Sequence, residues 1–427
     1  MNADEHMTSP VPRTINMPWW RVAMMNSIFN LSLPVFIQGQ QLAAASTAWT
    51  FFAGLSAGGL LLGVIGAVTG AIGSMTRLSS YMLTRIAFGA RGSVLVNVSL
   101  AISLLGWFGV NIDLFSEATR YLLGAYHLYQ GPAWPIQMAG GALMTATTVI
   151  GLKAIDNLAL AISPLLLVVA VMMLAAVLHV GSLQAVLARA PATGMSLGDN
   201  MSAIVGGSAI GAVIMPDLTR FVRHWRGTAL IAFFTFVVSA TAIAAIGGLA
   251  GLATGQSDML KLMIGVGLGA GAFVTVIGGS WIPNALNLYS AVLSLSSSAP
   301  RLRRGYATLA CGVGGTIAAF FNILDHFITF LFYLAILFVP VAGILAADVF
   351  VVRPGAYRGD DAVQRAAPYQ WCALAAWALG AAVAVAGSRG VLTLTHIAAV
   401  DAILVAGLAR CVLGWMVDGE LRTKPAQ

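Results

Sequence analysis

Trp107 lies midway along an apolar stretch, with a glycine before it and another two residues after it in the motif GWFGV. Tryptophans of membrane proteins usually gather at the water–lipid boundary. Trp107 is about fifteen residues, or roughly 20 Å of helix, from either end of its stretch. Asn111 follows at the i+4 spacing that places two side chains on one helix face. The indole ring could stack on a flat ligand, and the amide could form hydrogen bonds with the edge of that ligand. Packing alone is the competing explanation for Trp107.

Polar and small residues in other apolar stretches are candidates for the same site. They are Asn30 and Ser32 in the first stretch, Gly207 and Ser208 in the sixth, and Ser280 and Asn284 in the eighth. Each polar side chain could instead join neighbouring helices, since such hydrogen bonds contribute about 0.6 kcal/mol on average in membranes. Asn111 and Asn284 are the stronger candidates for ligand contacts, because they lie beside the motifs described below.

Asp113 is a candidate for carrying a proton. A carboxylate inside an apolar stretch is costly and is a functional candidate by default. Asn30 and Ser32 could help to hold a cation in the first stretch. Glu117 and Arg120 are three residues apart, so an ion pair near the outer surface is an alternative role for the acidic residues of this region.

The composition indicates an integral membrane protein. Hydrophobic residues make up 59% of the 427 residues and charged residues only 9%, and the mean hydropathy is +0.88. A soluble domain carries about 25% charged residues. The net charge of +7 comes from short clusters between apolar stretches, which is typical of membrane orientation and argues against a nucleic-acid partner. The sequence contains no zinc-hydrolase, serine-hydrolase or Walker A motif, so it predicts no enzyme, no metal and no cofactor.

The apolar stretches predict twelve transmembrane helices. Their approximate ranges are 22–44, 50–73, 93–122, 134–152, 157–180, 200–219, 228–254, 262–291, 306–323, 327–350, 370–387 and 391–416. With twelve spans, seventeen basic residues lie on the side of the termini. The other side holds Arg120, Arg189, Lys261 and Arg389. This asymmetry predicts that both termini are cytoplasmic and that the protein is a multi-pass component of the inner (cell) membrane.

Two of the predicted spans contain helix-breaking residues at corresponding positions. Pro34 interrupts the first span, and the sixth contains Gly206, Gly207 and Gly211 before Pro216. Spans five apart in order with breaks near the middle are typical of transporters built from two inverted five-helix repeats. The sequence therefore predicts an all-α, LeuT-like fold in which helices one and six are discontinuous near Asn30–Pro34 and Gly206–Gly211.

The predicted organisation has four parts. Residues 1–21 form a cytoplasmic tail, and 22–352 form a transport core whose repeats cover about 22–180 and 200–352. Residues 366–416 add two helices, and 417–427 form a second cytoplasmic tail. Whether the protein is a monomer or a homo-oligomer is open.

Five stretches resemble the nucleobase–cation symporter family, and the bacterial cytosine permeases in particular. They are LTRIAFGARGS (83–93), GWFGV (106–110), PDLTRF (216–221), SWIPNALNLY (280–289) and PVAGILAADVFVVR (340–353), in the same order and at similar spacing. The resemblance implies a symporter that imports cytosine, a purine, hydantoin or allantoin, or a vitamin-precursor pyrimidine together with a cation. It also implies that Trp107 stacks on the substrate ring.

The chain departs from the family pattern at several positions. Leu104 stands where cytosine permeases have a glutamine, and Ser208 stands where they have an aromatic ring in helix six. Ile282 and Pro283 replace two hydroxyl residues that the family associates with sodium. These differences favour a substrate other than cytosine, and a proton over sodium as the coupling cation. A carrier of amino acids or other small solutes on the same fold, and a membrane enzyme, are the alternative functions.

Overall fold

The computed structural model describes residues 9–422 apart from 151, 181–193, 255–260, 262, 265–266, 268–269, 299–302 and 360. The α-helices are α1 (Trp19–Phe29), α2 (Leu33–Ala45), α3 (Ala48–Thr76), α4 (Ser80–Phe88), α5 (Gly92–Ala125), α6 (Trp134–Ile150), α7 (Leu152–Val180), α8 (Leu197–Val213), α9 (Pro216–Thr219), α10 (Trp225–Ala232), α11 (Thr241–Thr254), α12 (Ala270–Ser298), α13 (Arg304–Ala319), α14 (Phe327–Ala347), α15 (Trp371–Ser388) and α16 (Ala398–Arg422). Two π-helical segments, Phe233–Ala240 and Asp348–Val352, follow α10 and α14.

Seven helical segments of the described chain are long and apolar enough to cross a membrane. They are Ala48–Thr76, Gly92–Gly124, Leu197–Thr219, Trp225–Ala253, Ile323–Val352, Trp371–Ser388 and Ala398–Val417. The bent pair α1 and α2 makes an eighth if it counts as one span. Each of the twelve predicted ranges contains a helix, so the molecule is an all-helical membrane protein, and the twelve-span topology stays a prediction.

The predicted break in helix one is confirmed. Helix α1 ends at Phe29, α2 begins at Leu33, and the two axes differ by 62°. Pro34 occupies the first turn of α2. Backbone N–H groups in a first turn have no intrahelical partner, so the missing N–H of proline costs no hydrogen bond there. Asn30 Nδ2 donates to the Thr235 carbonyl oxygen at 2.7 Å. The break therefore faces the π-helical segment Phe233–Ala240, a second departure from regular α-helix.

The predicted break in helix six at Gly206–Gly211 is wrong, because this stretch lies inside the continuous helix α8. A Cβ added at Gly206 would lie 1.9 Å from the Leu331 carbonyl oxygen, and one at Gly207 would lie 2.3 Å from Gln38 Nε2. These two glycines therefore allow close approach of neighbouring helices instead of unwinding their own. The interruption occurs later, at residues 214–215, between α8 and the single turn α9 that begins at Pro216.

The last predicted span also begins later than expected, at Ala398 and not near residue 391. His396 has a left-handed φ of 59°, which ends any helix at that point. The carboxylate of Asp401 accepts from the backbone N–H groups of Leu394 (3.0 Å) and Thr395 (2.9 Å). Asp401 thus fixes an ordered turn before α16.

Candidate substrate and cation sites

Trp107 lies half-buried in the middle of α5 and packs against two phenylalanines of α14. Its ring meets Phe327 at a centroid distance of 5.8 Å and an interplanar angle of 82°, and Phe330 at 5.4 Å and 72°. Both contacts are edge-to-face, a favourable geometry for aromatic pairs. A Cβ added at Gly106 would lie 3.0 Å from Phe330 Cε2, so the glycine before the tryptophan gives α14 room to approach.

Asn111 and Asn284 surround the backbone at Trp107 and Phe108. Asn111 Nδ2 donates to the Trp107 carbonyl oxygen at 2.9 Å. Asn284 Nδ2, on α12, donates to the carbonyl oxygen of Phe108 at 3.1 Å and approaches Met144 Sδ at 3.0 Å. Because a carbonyl oxygen only accepts, these contacts determine which end of each amide faces the α5 backbone. The structure therefore places Asn111 and Asn284 against adjacent carbonyl groups of α5.

The Oδ1 atoms of these two asparagines have no hydrogen-bond partner among the described residues. Asn111 is 1% exposed and Asn284 is fully buried. A buried acceptor without a partner costs about 1–3 kcal/mol, so a fold that keeps one needs a reason for it. A ligand that presents N–H groups to both oxygens would remove this cost.

Gly207 and Ser208 lie close to Gln38, since a Cβ added at Gly207 would be 2.3 Å from Gln38 Nε2. Ser208 lines a narrow cleft between α2, α3, α8 and the segment that joins α10 to α11. The lining residues are Gln38, Leu55, Gly59, Leu62, Ile204, Ser208, Phe236, Ala240, Thr241 and Ala244. Gln38 is buried, and its Nε2 donates to the Ala203 carbonyl oxygen at 3.0 Å. The second group of polar residues is thus centred on Gln38 and Ser208.

Helix α14 contacts both groups. Phe327 and Phe330 pack against Trp107. The carbonyl oxygen of Leu331, the next residue, lies against the Cα of Gly206 on α8. Trp107 and the glycine stretch of α8 therefore contact neighbouring residues of the same helix.

The third group lies at the break in helix one. A Cβ added at Gly279 would lie 3.4 Å from the Leu33 backbone nitrogen and 3.8 Å from the Leu31 carbonyl oxygen, so α12 contacts the break directly. Ser280, the next residue, is fully buried, and its Oγ has no partner among the described residues. Ser32 is also buried and makes no capping hydrogen bond at the start of α2.

Asp113 is half-buried on α5, two residues beyond Asn111. Its carboxylate accepts a hydrogen bond from Gln137 Nε2 of α6 at 3.0 Å. An amide donor stabilises the carboxylate without adding a charge, and it can turn to accept when the acid is protonated. The side chain thus has a partner that suits both protonation states.

Sequence reasoning missed Phe327, Phe330 and Gln137. All three act through contacts between helices, and the stretch that holds the two phenylalanines carries no local signal. Phe327 and Phe330 belong to FITFLF, where every apolar residue is equally compatible with lipid contact. Gln137 near the start of α6 is the one residue with a signal, since a buried amide in an apolar stretch needs a partner.

Comparison with known proteins shows the family of the chain. A family model described as permeases for cytosine/purines, uracil, thiamine and allantoin matches residues 19–410. The cytosine permease of Escherichia coli (strain K12) is 27% identical over 334 residues, which cover 78% of this chain and 77% of that protein. The hydantoin permease of Microbacterium maritypicum is 24% identical over 395 residues, which cover 83% and 78% of the two chains.

Solved structures show the same fold. Mhp1, a nucleobase-cation-symport-1 family transporter in a closed conformation with bromovinylhydantoin bound, has a TM-score of 0.81 at 22% identity. The match covers 97% of this chain and 96% of Mhp1. The inward-facing conformation of Mhp1 has a TM-score of 0.83 at 20% identity, over 98% and 97% of the two chains.

The chain belongs to the permease family for cytosine, purines and related compounds, the nucleobase–cation symporters. It is a multi-pass membrane transporter of nucleobases or related heterocycles, and its fold is the LeuT-like all-helical fold of Mhp1.

Proposed function

We propose that this symporter imports a planar heterocycle with two ring N–H groups, such as hydantoin or uracil, by alternating access. The observation that carries the proposal is a pair of buried, unpartnered amide oxygens, one on Asn111, which bonds the Trp107 backbone, and one on Asn284, which bonds the Phe108 backbone. The indole stacks on the ring, and the two oxygens accept from its N–H groups. An aliphatic amino acid offers no flat face for Trp107, so this geometry favours a planar ring.

Cytosine fits this arrangement less well. It presents a bare, accepting ring nitrogen next to its amino group, and that nitrogen would face an amide oxygen that can only accept. Leu104, three residues before Trp107, is buried. Its apolar side chain cannot donate a hydrogen bond to this ring nitrogen. We therefore expect cytosine to bind more weakly than a ring with two N–H groups.

Gly207 and Ser208, with Gln38, form a second polar wall of the substrate path. Helix α14 contacts both walls, since Leu331 lies against Gly206 and Phe330 against Trp107. A shift of α14 would therefore change the two walls together. Alternating access moves one group of helices against another around a substrate site, and α14 is placed to take part in that movement.

Thermal-shift measurements on the purified protein test the substrate class. Hydantoin and uracil should raise the melting temperature more than cytosine at equal concentration, because a ligand stabilises the folded state by mass action. Asn111→Ala and Asn284→Ala should each weaken hydantoin binding about 2- to 13-fold, the equivalent of one hydrogen bond of 0.5–1.5 kcal/mol.

Asn200→Ala is the matched control. Asn200 is a fully buried asparagine of α8 whose Nδ2 donates to Ser46 Oγ at 2.8 Å. Its loss should lower the melting temperature without changing the preference among ligands. The proposal is wrong if cytosine binds best, or if Asn200→Ala weakens hydantoin as much as the two site variants do.

For coupling, we propose a proton carried by Asp113. The support is a carboxylate inside a membrane span, bonded to the neutral amide of Gln137 and two residues from Asn111. Sodium is the alternative, favoured by the unpartnered Ser280 hydroxyl beside the helix-one break, where Asn30 and Ser32 lie. Ile282 and Pro283 offer no side-chain oxygen, whereas sodium needs several oxygen ligands, so we favour the proton.

Uptake into proteoliposomes with imposed ion gradients decides between the two cations. An inward proton gradient should drive accumulation, and Asp113→Asn should abolish that drive while leaving exchange of substrate intact. A sodium gradient at fixed pH should have little effect. Strong sodium stimulation, or proton-driven uptake that survives in Asp113→Asn, would contradict the proton proposal.

We also propose the topology: twelve spans, a five-plus-five inverted repeat, both termini in the cytoplasm and an inner-membrane location. The support is a helix at each predicted range, the broken helix one, and the asymmetry of basic residues. Labelling of single cysteines introduced at residues 9 and 389 in intact cells tests the orientation, since only position 389 should react with an impermeant reagent.

A further inference from the structure

We propose that two tryptophan–arginine segments, at the starts of α1 and α10, together bind an anionic phospholipid headgroup. The first segment, residues 17–21, reads MPWWR, and the second, residues 222–226, reads VRHWR. Neither segment contributes to the substrate or cation groups described above. The proposal is independent of the substrate that the protein carries.

Backbone contacts hold the two segments side by side. Met17 and Val222 form a parallel β-bridge, and the Met17 N–H donates to the Phe221 carbonyl oxygen at 2.7 Å. Further along, a Cβ added at Gly227 would lie 3.0 Å from Trp19 Cβ. The arginines of the second segment, between Val222 and Gly227, thus lie between two points at which the segments touch.

The combined surface is basic and aromatic. The side chains of Arg21, Arg223 and Arg226 are exposed, as is that of His224. Trp20 is 56% exposed and Trp225 is 54% exposed. The Arg226 guanidinium carbon lies 5.8 Å from the centroid of the Trp225 ring. Guanidinium groups bind phosphate oxygens in pairs, and exposed tryptophans favour the depth of lipid headgroups.

A lipid suits this surface better than a soluble phosphate. Both segments lead directly into membrane helices, α1 with α2 and the span Trp225–Ala253. The arginines would therefore lie at the depth of the headgroup phosphates. The tryptophan rings beside them would contact the acyl chains of a lipid, which a free phosphate does not have. Attraction to an anionic membrane surface corresponds to about a fivefold gain in affinity for each arginine.

The lipid would hold together two segments whose helices meet again deeper in the membrane. Trp19 stacks on Phe234 with ring centroids 6.1 Å apart. Asn30, at the break in helix one, donates to the carbonyl oxygen of Thr235 in the same π-helical segment. An occupied headgroup site therefore fastens the first half of helix one to α10.

Native mass spectrometry of the full-length protein, titrated with phosphatidylglycerol or phosphatidylcholine, tests the site. The wild type should bind phosphatidylglycerol at least tenfold more tightly than phosphatidylcholine. The double variant Arg223→Gln with Arg226→Gln should lose about thirtyfold in affinity for phosphatidylglycerol, and each single variant about fivefold. Affinity for phosphatidylcholine should not change. Arg223→Lys with Arg226→Lys should retain most of the preference.

The matched control is Arg120→Gln with Arg389→Gln, two exposed arginines on the side of the molecule predicted to be outside. It should keep the preference for phosphatidylglycerol. The proposal fails if the glutamine variants bind phosphatidylglycerol within twofold of the wild type, or if the control pair loses as much as the site pair. It also fails if inorganic phosphate displaces phosphatidylglycerol from the wild type at matching concentrations.

Discussion

Replacement of Trp107 by alanine should remove both a substrate contact and part of the packing around it. Stacking on a heterocycle contributes about 0.5–1.5 kcal/mol beyond area burial. One covered ring face of roughly 60 Å² adds about 1.5 kcal/mol. Together these predict a loss of about 2–3 kcal/mol, or roughly 30- to 150-fold in substrate affinity. Uptake at low substrate concentration should then be undetectable.

Loss of the two edge-to-face pairs with Phe327 and Phe330 should also lower the free energy of unfolding, by about 1–3 kcal/mol. Trp107→Phe retains a smaller aromatic face, so it should keep measurable uptake and lose less than tenfold in affinity. Isothermal titration with hydantoin, alongside thermal unfolding without ligand, separates the two effects.

Trp377→Ala is the matched control for Trp107. Trp377, on α15, also makes an edge-to-face contact, with Phe88 at 6.3 Å and 75°, and its Nε1 donates to the Leu337 carbonyl oxygen at 2.7 Å. It should lose stability and keep its substrate affinity. Equal affinity losses in Trp107→Ala and Trp377→Ala, or hydantoin binding that survives in Trp107→Ala, would refute the assignment of the stacking face.

Two further predictions concern charged groups outside the substrate site. Asp348→Asn should lower the free energy of unfolding by about 3–5 kcal/mol, because it leaves the fully buried Arg410, 2.6 Å away, without its carboxylate. The exposed Asp361→Asn should cost less than about 1 kcal/mol in the same denaturation assay, and equal effects would contradict the reasoning. Arg77→Ala should expose the chain around Ile15, which precedes α1, to proteolysis. The Arg77 guanidinium donates to the carbonyl oxygens of Ile15 (3.3 Å) and Arg220 (2.9 Å). Unchanged cleavage rates would show that the segment is held by other contacts.

The two predicted helix breaks show how far sequence could go. Proline has a fixed local effect, so Pro34 located the break in helix one to within a few residues. Glycine has two uses in a membrane helix, flexibility and close packing, and local sequence does not distinguish them. At Gly206 and Gly207 the neighbours decide in favour of packing, since Leu331 and Gln38 occupy the space that side chains would fill.

The candidate site divides in the same way. Spacing along one helix correctly placed Asn111 beside Trp107, because i+4 neighbours share a face. The position of Asn284 next to Phe108 depends on the packing of α12 against α5, and only the family resemblance pointed to it. Ser208 lines the same cleft as Gln38, and its grouping with Trp107 stays a prediction.

Helix α12 offers a direct route by which a cation and a substrate could influence each other. Ser280 lies beside the break in helix one, and Asn284 lies against the backbone of Phe108. The two residues are one helical turn apart, about 6 Å along the axis. A cation that holds Ser280 against helix one also holds Asn284 in place. Less conformational entropy is then lost when the substrate binds. Because such coupling is reciprocal, the substrate must strengthen cation binding by the same factor. Proton transfer at Asp113 would act on the substrate site from α5, since Asp113 is two residues beyond Asn111. In both cases the cation would influence the substrate by changing the position of an asparagine.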